Sequence, residues 1–221
     1  MNSIKIVTEP PGPKARKLLE REARVFRQMG NDRLYALFSK KVDGAVVEDV
    51  DGNRYIDFEA GSGSMGLGGA HPELVETIKE EIANLGHISY PFLNEVVISL
   101  GEKLVEITPG KFNKKVIFEC TGGAGNDVAF KLARRYTRRP QYISYLGAHA
   151  GFSLAGVALD GHYAAQRRGM QIGGLVPGVV HIPYPYCYRC PFGMEYPDCG
   201  MRCLNYFENE IMTTIAPPED I

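Results

Sequence analysis

The sequence predicts an α/β fold, in which a mainly parallel sheet with flanking helices follows an N-terminal helix and a β-hairpin. From Lys115 onward, strand-like and helix-like runs alternate in the order VIFEC, DVAFKLARRYT, QYISYL and GVVHIP. Such alternation is typical of βαβ units, whose strands lie parallel and are joined by crossover helices. Before Lys115 the chain shows helix-period runs and one pair of extended runs joined by a tight turn.

Length and composition indicate a globular protein that acts on small molecules or protein partners. The chain has 221 residues, of which 44% are hydrophobic, enough for one large or two small domains. Its 25 basic and 26 acidic residues are scattered and leave a net charge of -1, so we expect neither nucleic acid nor an anionic membrane as a partner. No signal-peptide pattern or long apolar run is visible, which favours a cytoplasmic location.

The N-terminal third combines helices with one hairpin. Residues 14–29, KARKLLEREARVFRQM, have the spacing of an exposed amphipathic helix. The stretch AVVEDVDGNRYIDF forms two extended runs around Asp51-Gly52-Asn53, and Asp-Gly accepts the positive φ that hairpin turns require. A glycine-rich loop from Gly61 to Gly69 leads to Pro72, which can begin the helix PELVETIKEEIANL. A further helix, EVVISLGEKLVEIT, is expected to end before Pro109.

The stretch FECTGGAGND, residues 118–127, is a candidate phosphate site. It lies between a predicted buried strand, Val116-Ile117-Phe118, and a predicted helix from Val128 to Tyr136. Glycines before a helix let a phosphate reach the unpaired amide groups of its first turn, and Gly122, Gly123 and Gly125 are placed for this. The pattern is neither the Walker motif nor the dinucleotide fingerprint, so a simple tight connection stays open as the alternative.

A second glycine loop, Gly147-Ala148-His149-Ala150-Gly151, follows the next predicted strand. The carboxyl ends of parallel strands meet at one edge of a sheet, so both loops are expected to contribute to one site. One loop would hold phosphate and the other would present the ring of His149. Without its flanking glycines, His149 would be read as an ordinary surface or core histidine.

Four cysteines form a local cluster with the spacing C-x2-C-x8-C-x3-C, in the segment CYRCPFGMEYPDCGMRC. The thiolates of Cys187, Cys190, Cys199 and Cys203 suit a tetrahedral zinc ion. Disulfides and free thiols are the alternatives, and we favour a structural role, zinc or disulfide, over free thiols. Cys120, before the first glycine loop, is expected to be a small buried side chain.

Several long segments, in the same order, resemble the class III aminotransferases, which are fold type I enzymes dependent on pyridoxal 5'-phosphate (PLP). These segments are VEDVDGNRYIDFEAG, GAHPELVETIKEEI, TGGAGNDVAFKLARRYT, YLGAHAGFSLAG and PGVVHIPYPYCYRCPFGMEYPDCG. The resemblance is strongest to archaeal members that act as 4-aminobutyrate or acetylornithine aminotransferases. It implies that residues 1–70 belong in part to a small domain, and that residues 71–221 form part of the PLP-binding large domain, with a cysteine-rich insert at 187–203.

The resemblance also implies a cofactor site, and this sequence departs from the family pattern in both of its loops, where Ala150 also replaces a histidine. The family's first loop reads Ser-Gly-Ser/Thr-Glu-Ala-Asn, so Gly122 matches its glycine, whereas Gly123 and Ala124 replace the hydroxyl residue and the glutamate. The family's second loop places an aromatic ring on the pyridine of PLP, and His149 replaces that ring. Backbone amides can still bind phosphate and an imidazole can stack, so Gly122, Gly123 and His149 are the predicted cofactor contacts.

In the family, a lysine that forms the Schiff base and a carboxylate against the pyridine nitrogen perform the chemistry. The resemblance places both beyond the segment covered here, so we expect an N-terminal half that is inactive alone in transfer of an amino group from an amino or ω-amino acid to a 2-oxo acid. Its implied partner is a second copy or a complementary C-terminal half. An unpaired sheet edge predicts poor solubility alone. The alternative is a non-catalytic dimerisation or zinc-binding module that retains the scaffold.

Overall fold

The computed structural model describes residues 4–26, 36–88, 92–162, 164–168 and 176–221. The chain divides into two compact units, Met1–Glu95 and Val96–Ile221. The first unit contains α1 (Pro13–Val25), β1 (Ser39–Asp43), β2 (Val46–Asp49), β3 (Arg54–Ile56) and α2 (Pro72–Asn84). Helix α3 (Glu95–Ile107) begins at the boundary. Among the helices that the structure describes, none combines the length and apolar composition needed to cross a membrane.

The second unit alternates helices and strands. After α3 it contains α4 (Gly122–Thr137), β4 (Tyr142–Tyr145), α5 (Leu154–Leu159), α6 (Ala164–Arg167), β5 (Val179–Ile182), a 3-10 turn (Cys187–Arg189), α7 (Arg202–Tyr206), a π-helical turn (Phe207–Ile211) and α8 (Met212–Thr214).

The predicted hairpin is confirmed in the first unit. Strands β1, β2 and β3 form an antiparallel sheet in that order, and β2 pairs with β3 through Val46 and Ile56. Gly52, in the turn between them, has a φ of +90°. Glycine reaches this conformation without the strain that a Cβ would cause, so the Asp-Gly signal identified the turn correctly.

A buried polar centre holds the N-terminal segment against this hairpin. Asn53 is fully buried, and its Oδ1 accepts hydrogen bonds from the amides of Val7 at 2.7 Å and Thr8 at 2.9 Å. Its Nδ2 donates to Oδ2 of the buried Asp49 at 2.8 Å. A buried amide side chain is stable only when its donors and acceptors are paired, and these bonds meet that condition.

Asp49 is buried yet has a lowered pKa. Burial alone would raise the pKa of this carboxyl, but hydrogen bonds from Asn53, from the Tyr55 hydroxyl and from the Asp51 amide favour the ionised form and outweigh it. The ionised Asp49 is therefore part of the folded hairpin.

The turn residue Asp51 also starts helix α1. Its Oδ1 and Oδ2 accept hydrogen bonds from the amides of Lys14 and Ala15, each at 2.9 Å. These amides belong to the first turn of α1, where no intrahelical acceptor exists and a negative charge is favourable. The helix predicted over residues 14–29 is confirmed over Pro13–Val25, whereas residues 27–29 lie outside the described residues.

Helices α2 and α3 begin and end close to their predicted positions, and Pro72 lies in the first turn of α2 as expected. Their apolar side chains nevertheless remain exposed in the described part of the chain. In α2, Ile78 is 47% and Ile82 is 64% exposed, and in α3 Ile98 is 52% exposed. Amphipathic helices bury their apolar face against another element, so these faces are uncovered surfaces of this chain.

Strands β4 and β5 pair in parallel, from Tyr142 opposite Val179 to Tyr145 opposite Ile182. This confirms that the two predicted strands lie parallel in one sheet, although the helices between them, α5 and α6, were not predicted. The core beneath β5 consists of Ile182, Ile211 and Ala216. Helix α4 is fixed on β4 by the Phe130 ring, which stacks on the Tyr142 ring at a centroid distance of 3.7 Å.

The predicted strand Val116-Ile117-Phe118 is wrong for this structure. The segment has no regular secondary structure, and Ile117 and Phe118 are 61% and 44% exposed. A strand needs a neighbour to pair with its backbone, and no described segment hydrogen-bonds to this one as a ladder. Cys120 follows it and is exposed, so the expectation of a buried thiol is also wrong.

Helix α4 begins at Gly122, six residues before the predicted start at Val128. The Thr121 backbone is extended, with φ -146° and ψ 158°, and its Oγ1 accepts a hydrogen bond from the Ala124 amide at 3.1 Å. This is an N-cap, which fixes a helix start whatever the apolar spacing of the residues that follow. Gly122, Gly123 and Gly125 therefore form the first helical turn.

Candidate functional site

The two glycine loops lie together, as the sequence predicts. A Cβ on Gly151 would lie 2.6 Å from the Cα of Gly123, closer than real Cβ contacts allow. Gly151 also has a φ of +99°, which favours glycine. Asn126 Nδ2 donates to the Ala150 carbonyl at 2.9 Å. The start of α4 and the second loop are thus in direct backbone contact.

A second link joins α4 to the end of the same loop. Ser153 Oγ donates to Asp127 Oδ1 at 2.6 Å and accepts from the Gly156 amide at 3.1 Å. Ser153 therefore caps α5 while it binds α4. Sequence reasoning missed Asn126, Asp127 and Ser153. A serine directly before the apolar run LAGVAL is an N-cap signal that could have identified the last of them.

The first turn of α4 offers a ligand two amide donors, those of Gly122 and Gly123, because the next two amides are already engaged. The Ala124 amide donates to Thr121 Oγ1 and the Gly125 amide to the Thr121 carbonyl. Within the part of the chain that the structure describes, the Gly122 and Gly123 amides have no acceptor. A Cβ on Gly122 would meet no atom within 4 Å, so open space adjoins this position. The unpaired amides and the positive helix end favour an anion here.

His149 is held by a buried carboxylate. Its Nδ1 lies 3.1 Å from Asp160 Oδ2, and the Asp160 side chain has no exposed area, whereas the His149 side chain is 49% exposed. The other Asp160 oxygen, Oδ1, accepts from the His162 amide at 2.6 Å. The His149 ring also meets the Phe152 ring at a centroid distance of 5.2 Å.

Asp160 lies beside His149 because backbone hydrogen bonds join the second loop to the residue that follows Asp160 at the end of α5. The Gly147 amide donates to the Gly161 carbonyl at 3.0 Å, and the Gly161 amide donates to the Ala148 carbonyl at 2.9 Å. Asp160, the C-cap of α5, is thereby fixed beside His149. Sequence reasoning did not identify Asp160, because no local motif relates it to the loop.

The four clustered cysteines line one pocket, but the structure gives the predicted zinc site no support. Cys187, Cys190, Cys199 and Cys203 are all free, so no disulfide is formed. Across the described ranges, no group of three or more His, Cys, Asp or Glu side chains is placed to hold a metal ion. Zinc needs every sulfur at about 2.3 Å from one point, which is a stricter condition than lining a common cavity.

Comparison with known proteins identifies the family. Residues 28–217 match the family described as Aminotransferase class-III. An alanine/serine racemase from Pyrococcus horikoshii is 38% identical, over 100% of this chain and 47% of its own length. An isoleucine 2-epimerase from Lentilactobacillus buchneri is 34% identical, over 93% of this chain and 46% of its own length. The chain spans about half the length of these curated relatives.

A solved structure supports the fold. Taurine:2-oxoglutarate aminotransferase from Bifidobacterium kashiwanohense, in complex with PLP and glutamate, has a TM-score of 0.79 at 24% identity, over 93% of this chain and 46% of that one. The expected resemblance to the N-terminal part of a fold type I transferase is confirmed. The chain belongs to the class III aminotransferase family.

Proposed function

We propose that this chain supplies the phosphate-binding side of a PLP site in an enzyme that transfers an amino group from an amino or ω-amino acid to a 2-oxo acid. The observation that carries the proposal is the pair of unpaired amides at Gly122 and Gly123, packed against the loop that presents His149. We further propose a cytoplasmic location, and that residues 1–70 belong to the small domain and 71–221 to the large one.

The residues present fit the phosphate group of PLP. The Gly122 and Gly123 amides would donate to phosphate oxygens, and the positive end of α4 would favour their charge. Thr121 Oγ1 already accepts from the Ala124 amide, so backbone donors would do most of the binding. His149 would cover the ring. When bound, PLP supplies an electron sink for reactions at the amino-bearing carbon of a substrate.

The lysine and the carboxylate that complete such a site lie, by family resemblance, in the half of the relatives that this chain does not cover. Lys131 does not replace the lysine, because it is an exposed residue of α4. We therefore propose that activity requires the region of the relatives that this chain does not cover, which would contribute both groups, and that the enzyme pairs as a homodimer.

The exposed surface supports a large partner. Ile78, Ile82 and Ile98 on α2 and α3 are about half exposed, and Ile117 and Phe118 are 61% and 44% exposed. Exposed apolar patches of this kind are typical of protein–protein interfaces.

A second candidate function is amino-acid racemisation or epimerisation. It is favoured by the relatives that are 38% and 34% identical, which are a racemase and an epimerase. Transamination consumes a 2-oxo acid, whereas racemisation needs none. Chiral chromatography of the assembled enzyme with a single L-amino acid distinguishes them, since only a racemase forms the D-enantiomer without a 2-oxo acid.

The first test is cofactor binding by the purified chain. PLP and pyridoxal, which lacks the phosphate, are titrated separately, and absorbance between about 320 and 430 nm is recorded before and after borohydride reduction, followed by mass spectrometry. We expect PLP to bind more tightly than pyridoxal without permanent attachment to a lysine of this chain. Failure to bind PLP would contradict the proposed function and favour a non-catalytic dimerisation module.

A further inference from the structure

We propose that His149 and Asp160 form an imidazole–carboxylate pair in which His149 Nε2 carries a proton to and from an amino-acid substrate beside the two glycine loops. The inference rests on the proposed function, because it requires a substrate at that site. His149 would be the catalytic residue, and Asp160 would be a positioning residue that acts through it. The pair goes beyond the ring-covering role suggested by the position of His149 in the family motif.

The hydrogen-bond pattern fixes which ring nitrogen is available. Both oxygens of Asp160 are engaged, Oδ1 with the His162 amide at 2.6 Å and Oδ2 with His149 Nδ1 at 3.1 Å. A carboxylate accepts, so Nδ1 donates its hydrogen to it, and the neutral ring then has its lone pair at Nε2. Asp160 is fully buried and cannot turn toward water, so it holds the ring in this tautomer.

The second ring nitrogen of His149, Nε2, is not engaged by the described residues. Within the described residues, His149 Nε2 has no hydrogen-bond partner, and the side chain is 49% exposed. His181 provides the contrast, because its Nε2 lies 3.3 Å from the Leu159 carbonyl and is thereby engaged by the backbone. A buried carboxylate behind a half-exposed imidazole is the arrangement that general acid–base catalysis uses to orient a histidine.

The pair lies beside the proposed phosphate site. Gly151, two residues after His149, is in backbone contact with Gly123, whose amide is one of the two free donors. A ligand held by those amides would therefore lie next to the loop that presents Nε2. Phe152 and His162 flank the ring, at centroid distances of 5.2 and 6.4 Å.

The proton transfer balances without another reactant. A bond between hydrogen and carbon of the substrate breaks, the proton bonds to the lone pair of Nε2, and the electron pair stays on the substrate. Asp160 remains ionised and stabilises the imidazolium across the Nδ1 hydrogen bond. Return of the proton from Nε2 restores the neutral ring.

The first experiment observes the tautomer directly, by NMR of the 221-residue chain labelled with 15N-histidine. We expect His149 to be protonated at Nδ1 in the native chain. In Asp160→Asn the amide nitrogen can donate to Nδ1, so protonation should move to Nε2. A native His149 protonated mainly at Nε2 would overturn the inference. The measurement on the native chain shows which nitrogen of His149 carries the hydrogen, even if Asp160→Asn fails to fold.

The second experiment measures the reactivity of Nε2 with diethyl pyrocarbonate, read by peptide mass spectrometry. Carbethoxylation of His149 should slow by roughly tenfold in Asp160→Asn, because the nucleophilic lone pair is displaced. Saturating PLP should slow it by a similar factor in the native chain. His87, an exposed histidine of the first unit, is the internal control whose rate should not change.

The outcomes separate the inference from the proposed function. If PLP binds, as judged by absorbance, but leaves carbethoxylation of His149 unchanged, the inference is overturned together with the ring-covering role of His149, whereas phosphate binding by the Gly122 and Gly123 amides stands. An unchanged rate in a folded Asp160→Asn variant also overturns it. If PLP does not bind at all, both the proposed function and the inference fail.

Discussion

Gly151 lies against Gly123 so closely that a Cβ on Gly151 would be 2.6 Å from the Cα of Gly123. This contact joins the second glycine loop to the first turn of α4. Because Gly123 belongs to the proposed phosphate site and Gly151 follows His149 by two residues, the two halves of the candidate site depend on each other for their position.

The first prediction concerns Gly151→Ala, with Gly147→Ala as its matched control. Both glycines have a left-handed φ, +99° and +90°, but a Cβ on Gly147 would meet no atom within 4 Å. The control should cost about 1 to 2 kcal/mol of backbone strain. Gly151→Ala should cost about 1 to 3 kcal/mol more through overpacking, and should weaken PLP binding. Urea unfolding measures the loss of stability in each variant, and isothermal titration measures PLP binding. Equal losses of stability would show that the loop contact is unimportant.

The second prediction tests the Gly122 amide as a phosphate donor. Proline is favourable at the first position of a helix and lacks the N–H, and the extended backbone of Thr121 is compatible with a following proline. Gly122→Pro should therefore leave stability near that of Gly122→Ala, while PLP binds about tenfold or more weakly, as expected for loss of a charge-assisted hydrogen bond.

Gly122→Ala is the control for this change, because it keeps the amide and adds its Cβ in open space. Isothermal titration with PLP compares the two variants. Equal affinities would exclude the Gly122 amide from phosphate binding, and a lower melting temperature in Gly122→Pro alone would point to damage to the helix.

The third prediction concerns the cap of α4. Thr121→Ala removes the hydroxyl that accepts from the Ala124 amide and should lower the free energy of unfolding by about 1 kcal/mol. Thr121→Ser should retain most of that stability. Gly125→Ala should act in the opposite direction, by about 0.5 to 1 kcal/mol, because its Cβ meets open space and alanine favours a helix. In thermal melts, the melting temperature should therefore rise from Thr121→Ala to Thr121→Ser to Gly125→Ala.

The fourth prediction concerns acid stability of the first unit. Burial raises the pKa of Asp49, but the hydrogen bonds from Asn53, Tyr55 and the Asp51 amide lower it below its ordinary value of 3.8. Because the folded-state pKa lies below the unfolded-state value, the stabilisation is complete well above pH 3.8 and is lost as the pH falls through the folded-state pKa.

Asp49→Asn removes this titration and should flatten the acid limb of the stability curve, while it lowers stability at neutral pH. Circular dichroism melts between about pH 2 and pH 7 test this, since the linkage follows from the shifted carboxyl. If the stability of Asp49→Asn falls as steeply at low pH as that of the native chain, other carboxyls cause the pH dependence.

The fifth prediction concerns association. Because apolar side chains of α2, α3 and the segment from Ile117 to Phe118 are exposed, the chain alone should self-associate in analytical ultracentrifugation. Supplying the region that the relatives contain and this chain does not cover, fused to it or co-expressed with it, should convert it into a defined assembly. A monodisperse monomer that melts cooperatively would contradict the expectation that this surface is an interface.

Local chemistry explains which elements the sequence could predict. Asp51-Gly52-Asn53 predicted the hairpin because few residues other than glycine accept its positive φ, and Pro72 predicted the start of α2 because proline fits only the first turn. Strands β4 and β5 were identifiable as short apolar runs between helices. Each of these signals lies within a few residues of the feature that it specifies.

Pairing between distant segments could not be read in the same way. The run from Val116 to Phe118 has the composition of a strand, yet composition does not supply the neighbour that a ladder requires. Periodicity placed the start of α4 at Val128, whereas the Thr121 cap places it at Gly122. The cysteine spacing favoured a structural site, zinc or disulfide. In the described residues the four thiols are free and no ligand group is placed to hold a metal ion, because spacing along the chain does not fix the distances between sulfur atoms.

The sequence by itself determined the family, the hairpin, helices α1 to α3 and the two glycine loops, because these depend on residue type and short-range spacing. Only the tertiary structure decided that Gly151 lies against Gly123 and that Asp160, 11 residues from His149, orients its ring. These contacts form when α4, α5 and the second loop pack together, and hydrogen bonds between separate elements leave no periodic signal in the sequence.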